Sequence, residues 1–137
     1  MRLKFYKYHG TGNDFILVDN RKGQYHLSSE QVVALCDRHQ GIGSDGLILI
    51  EASSVADYNM NFFNPDGSKS YCGNGSRCAF TFAQFLEEVK SSATFEAIDG
   101  IHSAEEVDRN VRISLHDVTE AEEIGDDLLL NTGSPHY

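Results

Sequence analysis

The rhythm of apolar and polar positions changes several times along the chain, and each change marks an element. Residues 3–8 alternate, with Leu3 and Phe5 set against Lys4 and Lys7, which predicts a half-buried strand. Phe15-Ile16-Leu17-Val18 is an unbroken apolar run, read as a second and more deeply buried strand. Ser28 followed by Gln31 has the capping-box pattern. It opens a predicted helix over about residues 29–39, with Val32, Val33, Leu35 and Cys36 on the apolar side. The glycine-rich stretch 41–46 ends that helix. Residues 47–50 and 58–63 read as strands with a Ser53-Ser54 bend between them. Over about residues 74–89 the spacing is helical again. Here Cys78, Ala79, Phe80, Phe82, Ala83, Phe85, Leu86 and Val89 fall around nearly the whole circumference. A helix that is apolar all round must be surrounded, so strands are expected to wrap it. Short strands follow at 94–98, 101–107 and 111–115, parted by Asp99-Gly100 and Asp108-Arg109-Asn110 turns, with weaker segments to Leu130.

Composition narrows the class. A chain of 137 residues with 40% hydrophobic content is long enough for one domain with a real core. The net charge of −10 is unevenly placed. Residues 1–86 carry eight basic and eight acidic side chains; residues 87–137 carry three basic and thirteen acidic ones. Phosphate binding needs clustered Lys and Arg, so nucleic acid is not an expected partner. No apolar run approaches the roughly 20 residues of a membrane span, and residues 1–5 lead into a strand pattern rather than a signal peptide. Three cysteines, an odd number, do not suggest a disulfide scaffold. A reducing cytoplasm is the expected compartment.

The stretch 63–78 carries the candidate chemistry. Asn64-Pro65-Asp66-Gly67 is a strong turn signal, and Cys72-Gly73-Asn74-Gly75 then opens the apolar helix. Unpaired N–H groups at a helix N-terminus favour an anion, so Cys72 is expected to form a thiolate readily there. The same N–H groups can hold a carboxylate. Cys36 and Cys78 lie on apolar helix faces and read as core. A Cys72–Cys78 pair could be redox-active or bind metal, but a lone C-x5-C spacing is weak evidence for either. His9, His26, His39, His102 and His116 show no ligand-like grouping along the sequence, and no metal or cofactor is expected.

Three segments together resemble the diaminopimelate epimerase family. They are residues 9–15 (His9-Gly10-Thr11-Gly12-Asn13-Asp14-Phe15), residues 38–46 (Arg38 to Gly46), and residues 64–68 with residues 72–78. Gly133-Ser134-Pro135-His136 is similar to a turn that the family carries near its midpoint. The resemblance therefore covers the whole chain but only the first half of the family's length. It implies an α+β fold, a mixed and largely antiparallel sheet wrapped around a central apolar helix, with residues 1–137 forming one domain and a C-terminal half absent. It implies a PLP-independent isomerase that interconverts LL- and meso-diaminopimelate, on the lysine and cell-wall pathway, with one catalytic cysteine from each of two halves. Position by position, Cys72 matches the first-half catalytic cysteine, and His136 a histidine that assists its thiolate. Asn13 and Asn64 match side chains that bind the substrate's polar ends, and Gly73 and Asn74 match donors to its α-carboxylate.

Two departures stand out. Ser134 replaces an Asn that binds substrate in many members, and Gly46 stands where some members have a Gln. No second Cys-Gly-Thr-Gly-type segment is present to supply the opposing thiol. The chain is therefore expected to need a missing half, or a second copy of itself, as partner. A binding module that holds a diamino-dicarboxylate without turning it over is the alternative, with a thiol redox protein behind it.

Overall fold

The computed structural model describes residues 2–136. In chain order the elements are β1 (Tyr6–Gly10), β2 (Asn13–Asp19), α1 (Ser29–Cys36), β3 (Leu47–Glu51), β4 (Tyr58–Phe63), α2 (Gly73–Phe85), β5 (Ser92–Ala97), β6 (Gly100–Val107), β7 (Asn110–Ile113), β8 (Ala121–Ile124), β9 (Asp127–Asn131) and β10 (Pro135–His136). Strands β1 to β7 form one sheet in sequential order. The β2–β3 and β4–β5 pairs are parallel and the rest antiparallel, and each parallel pair is bridged by a helix. Helix α2 touches β1 through β4 and also β7, so the sheet curls around it. The α+β fold with a mixed sheet wrapped on a central helix is thus the architecture.

The two helices lie on opposite faces of the sheet, and this explains the unbroken apolar runs. Along β2, Phe15 and Leu17 join the cluster built on α2, while Ile16 and Val18 join the cluster built on α1. Along β3, Ile48 and Ile50 face α2, and Leu47 and Leu49 face α1. A strand covered on both faces has no polar side to show. Phe80, Phe82, Ala79 and Ala83 of α2 are completely buried inside the curl. Tyr6 and Tyr8 close the inner face, with ring centroids 5.0 and 5.7 Å from Phe82.

Several boundaries differ from the sequence reading. The first strand starts at Tyr6, not Leu3, and its inward residues are Tyr6 and Tyr8, while Phe5 is exposed and Leu3 packs with the α1 cluster. Helix α1 has the expected capping box at Ser28 and Gln31 but stops at Cys36. Asp37 ends it: its carboxylate accepts the N–H groups of His39 at 2.8 Å and Gln40 at 2.6 Å, which fixes a turn instead of another helical residue. Val33, placed on the apolar side by periodicity, is exposed. Helix α2 stops at Phe85 rather than Val89. Glu87 takes a left-handed conformation at φ 59°, Glu87 N–H donates to Gln84 C=O at 2.9 Å, and Glu88 N–H donates to Ala83 C=O at 3.0 Å. This is a Schellman ending. Its usual sequence mark is glycine, and a glutamate in that place hid it. Phe85 is consequently 58% exposed, so α2 is not apolar-buried all the way round.

Candidate active site

Cys72 occupies the N-cap of α2 with an extended backbone (φ −134°, ψ 113°). Its Sγ accepts the Gly75 N–H at 3.3 Å, in the place a Ser or Asp oxygen usually takes. Its C=O accepts both the Ser76 N–H and the Ser76 hydroxyl at 2.8 Å. The preceding Tyr71 is buried and stacked on the His102 ring, with centroids 4.3 Å apart. The Tyr71 N–H donates to Gly133 C=O at 3.2 Å, and the Ser134 hydroxyl donates to Tyr71 C=O at 3.1 Å. The thiol is therefore held on both sides, by the helix it caps and by the turn at Gly133-Ser134.

The ready thiolate expected from the helix terminus is not what the site provides. Burial pushes the Cys72 thiol above its ordinary 9.0, and the Gly75 and Asn74 N–H groups and the Arg77 charge offset this only in part. Cys36, beside the Ser44 hydroxyl, is also raised by burial, and Cys78 is pushed up to about 11. The three cysteines are free thiols, and Cys72 is the one with partial solvent exposure.

Cys72 opens onto a concavity of about 380 Å³. Asn13, Gly73, Asn74 and Arg77 line one side, and Thr132, Ser134 and His136 the other. Five of the six residues singled out by sequence thus converge. Asn64 does not line it: its amide donates to the Ser68 and Ser70 hydroxyls, both at 3.1 Å, within the turn that precedes Tyr71. The Ser134 hydroxyl is committed to the Tyr71 carbonyl. Gly46 is buried against Phe62 and also lies outside the concavity.

A polar chain runs outward from the thiol's neighbours. Arg77 donates to the Asn74 side-chain oxygen. The Asn74 amide donates to Asn13 at 3.3 Å, and the Asn13 amide donates to Asp45 at 3.0 Å. Arg38 bridges Asp45 and Asp14 at 2.8 and 2.7 Å, and Lys7 closes on Asp14 at 2.6 Å. The Arg38 guanidinium, helped by Lys7, holds the Asp14 carboxyl far below the usual carboxylate range. Both asparagine side chains are thereby oriented from behind. The sequence reading missed Arg77, a guanidinium one helical turn from Asn74. Its signal was the i, i+3 spacing on a helix whose first turn faces the thiol. The reading also found no grouping among the histidines. The structure corrects this: Asp99, His102 and His116 come together, their ligand atoms within 4.8 Å of one another. Strand pairing joins positions that spacing along the sequence keeps apart.

A mixed sheet curled around a central helix is a known class of fold. It is shared with a PhzF-family phenazine biosynthesis protein of Bacillus anthracis, at a TM-score of 0.68 and 18% identity over 91% of this chain and 44% of that one. It is shared too with a hydroxyproline epimerase of Agrobacterium vitis, at 0.62 and 13% identity over 93% and 47%. Residues 5–122 match the family model for diaminopimelate epimerase, and the chain belongs to that family. The diaminopimelate epimerase of Flavobacterium psychrophilum is 46% identical over 98% of this chain and 54% of its own length. The chain spans about half the length of the curated relatives it matches.

Proposed function

We propose that this chain is one half of a PLP-independent diaminopimelate epimerase, acting in lysine and cell-wall biosynthesis in the cytoplasm, with Cys72 as one of two opposed acid/base thiols. The observation that carries the reading is the seat of Cys72, on the N-cap of α2 and facing a concavity walled by Asn13, Asn74, Arg77 and His136. The family membership and the half-length match support it.

Inversion of a stereocentre requires proton removal on one face and delivery on the other. In one direction the Cys72 thiolate takes the α-proton: the C–H bond breaks, an S–H bond forms, and the electron pair passes to the α-carbon and its carboxylate. A thiol on the opposite face then donates its proton to that carbon and is left as thiolate. In the reverse direction Cys72 is the donor, a role that its raised pKa suits. The charge building on the carboxylate is met by the Gly73 and Asn74 N–H groups with Arg77 beside them; one such preorganised donor is typically worth roughly 3 kcal/mol. His136 assists the thiolate of Cys72, and Asn13 binds the distal polar groups, while Asn64 stays with its own turn. The opposing thiol comes from a second half or from a second copy of the chain. Until it arrives, a lone chain holds the anion without turning it over.

Incubating the chain with LL-diaminopimelate in deuterium oxide, while following the α-proton signal and the stereoisomer ratio, tests this. Turnover is expected to lie about 10²–10⁴-fold or more below that of a full-length relative, since one general acid or base is missing. Adding a separately made second half should restore it, and Cys72→Ala should abolish the restored activity. Restored turnover that survives Cys72→Ala would sink the reading.

A further inference from the structure

The cluster of Asp99, His102 and His116 lies behind Tyr71, at the β5–β6 turn and just beyond β7. His102 is 2% exposed. Its ring is sandwiched between Tyr71, at 4.3 Å and 9°, and Phe95, at 5.3 Å and 18°, so it cannot tilt to find other partners. Its Nδ1 lies 3.0 Å from the Ser114 carbonyl and its Nε2 lies 2.8 Å from Asp99 Oδ1. Both neighbours are acceptors, whereas a neutral imidazole has one N–H to give. Ser114 is itself fixed, because its N–H donates to Ser103 C=O at 2.9 Å and its hydroxyl accepts the Ser103 N–H at 2.8 Å. With Nδ1–H donating to that carbonyl, the Nε2 lone pair points at the Asp99 carboxylate, and a positive charge is required between them. The choice is a proton or a metal ion.

His116 adds a third group to the pair. Its Nε2 lies 3.8 Å from Asp99 Oδ2, too far for a hydrogen bond. Two ligands about 2.1 Å from one tetrahedral ion would stand about 3.4 Å apart. The His116 ring tilts against the His102 ring, with centroids 4.3 Å apart, which brings its Nε2 beside the pair, and a shared ion uses all three groups. The His116 ring is seated over Gly100, whose added Cβ would stand 3.4 Å from Nε2. A histidine whose second ring nitrogen is held by a backbone carbonyl is the usual form of a metal-ligating histidine, oriented by that outer hydrogen bond. The surroundings also favour a cation, since residues 87–137 carry the whole net charge of −10.

We propose that His102 Nε2, His116 Nε2 and the Asp99 carboxylate form a binding site for a divalent transition ion of the zinc class, with the remaining position open to solvent. Two imidazoles and one carboxylate suit zinc and its neighbours over magnesium or calcium. The ion clamps the β5–β6 turn to the segment after β7, directly behind the Tyr71 ring and one residue from Cys72. The site is independent of the role given to Cys72.

The test is titration of the full chain with Co²⁺, read by visible absorption, and with Zn²⁺, read by calorimetry. One ion per chain is expected, with cobalt ligand-field bands and no thiolate charge-transfer band. Zn²⁺ should also raise the melting temperature. His116→Ala removes a half-exposed side chain and should keep the fold, confirmed by its far-ultraviolet spectrum, while weakening binding about tenfold or more. Asp99→Asn should do the same, and Cys72→Ser should leave binding unchanged. In ¹⁵N spectra of the Zn²⁺-saturated protein, His102 should carry a proton on Nδ1 alone. Absence of saturable uptake at millimolar ion, binding that survives His116→Ala, a thiolate band lost in Cys72→Ser, or a His102 protonated on both nitrogens would each overturn the proposal.

Discussion

The two sheets of this protein are built on opposite terms. In the seven-stranded sheet, Phe15 to Val18 and Leu47 to Ile50 are buried on both faces, because α1 and α2 cover the two sides. In the three-stranded sheet every residue of β8 is exposed, Leu129 and Leu130 of β9 are half-buried, and no helix of the described residues lies against it. A ribbon of that size is marginal in water without something to pack on. What ties it to the larger unit is the docking of Gly133 and Ser134 on the Tyr71 backbone. The candidate site lies at that junction. Cys72 is fixed from the well-packed side, and His136 comes from the side with little core. In this arrangement the thiol's position belongs to the fold, while the histidine's belongs to a docked turn.

The largest expected effect contrasts the cores directly. Phe80→Ala should destabilise the chain by about 3–5 kcal/mol in urea unfolding, as for other buried aromatics. Leu128→Ala, in a side chain 52% exposed, should stay within about 0.5 kcal/mol. Equal costs would mean that the small sheet hides a core of its own.

Thiol reactivity sharpens the same contrast at the junction. Iodoacetamide with peptide mapping should label Cys72 first, because Cys36 and Cys78 sit inside the two clusters. Since the Cys72 thiol is held above 9.0, its rate should climb about tenfold per pH unit from neutrality and continue to rise beyond pH 9. A plateau near pH 7 would show that the helix terminus outweighs burial after all. The sign for stability follows from Cys78. Its thiol form is favoured in the fold, so that contribution is complete below the unfolded thiol's titration near about 8.5 and is lost as pH rises through about 11.

The smallest effect concerns the docking itself. Gly133 has φ +104°, and an added Cβ would meet the Tyr71 Cβ at 2.6 Å. Gly133→Ala should loosen the turn by about 1–2 kcal/mol. Hydrogen exchange at the Tyr71 amide should then quicken roughly tenfold, with the urea midpoint little changed. A large loss of global stability would show that the two sheets unfold as one unit.

The sequence determined the elements whose cause is local. The capping box at Ser28 and Gln31, the turn after Phe63, the doubly buried runs of β2 and β3 and the wrapped helix behind Cys72 are all legible in residue order, because apolar spacing and turn chemistry act over a few positions. The resemblance to the family brought Asn13, Cys72, Gly73, Asn74 and His136 forward, and the structure gathers these five around one concavity. Tertiary structure decided the rest. The Arg38–Asp14–Asp45 chain behind Asn13 became visible only when folding brought these residues together. The left-handed Glu87 ended α2 without a glycine to announce it. The Cys72 thiol moved up rather than down, because desolvation depends on everything packed around it and the helix terminus supplies only part of that surrounding field. Asp99, His102 and His116 met for a similar reason: strand register sets which distant side chains share a face, and register is fixed by packing of the whole sheet.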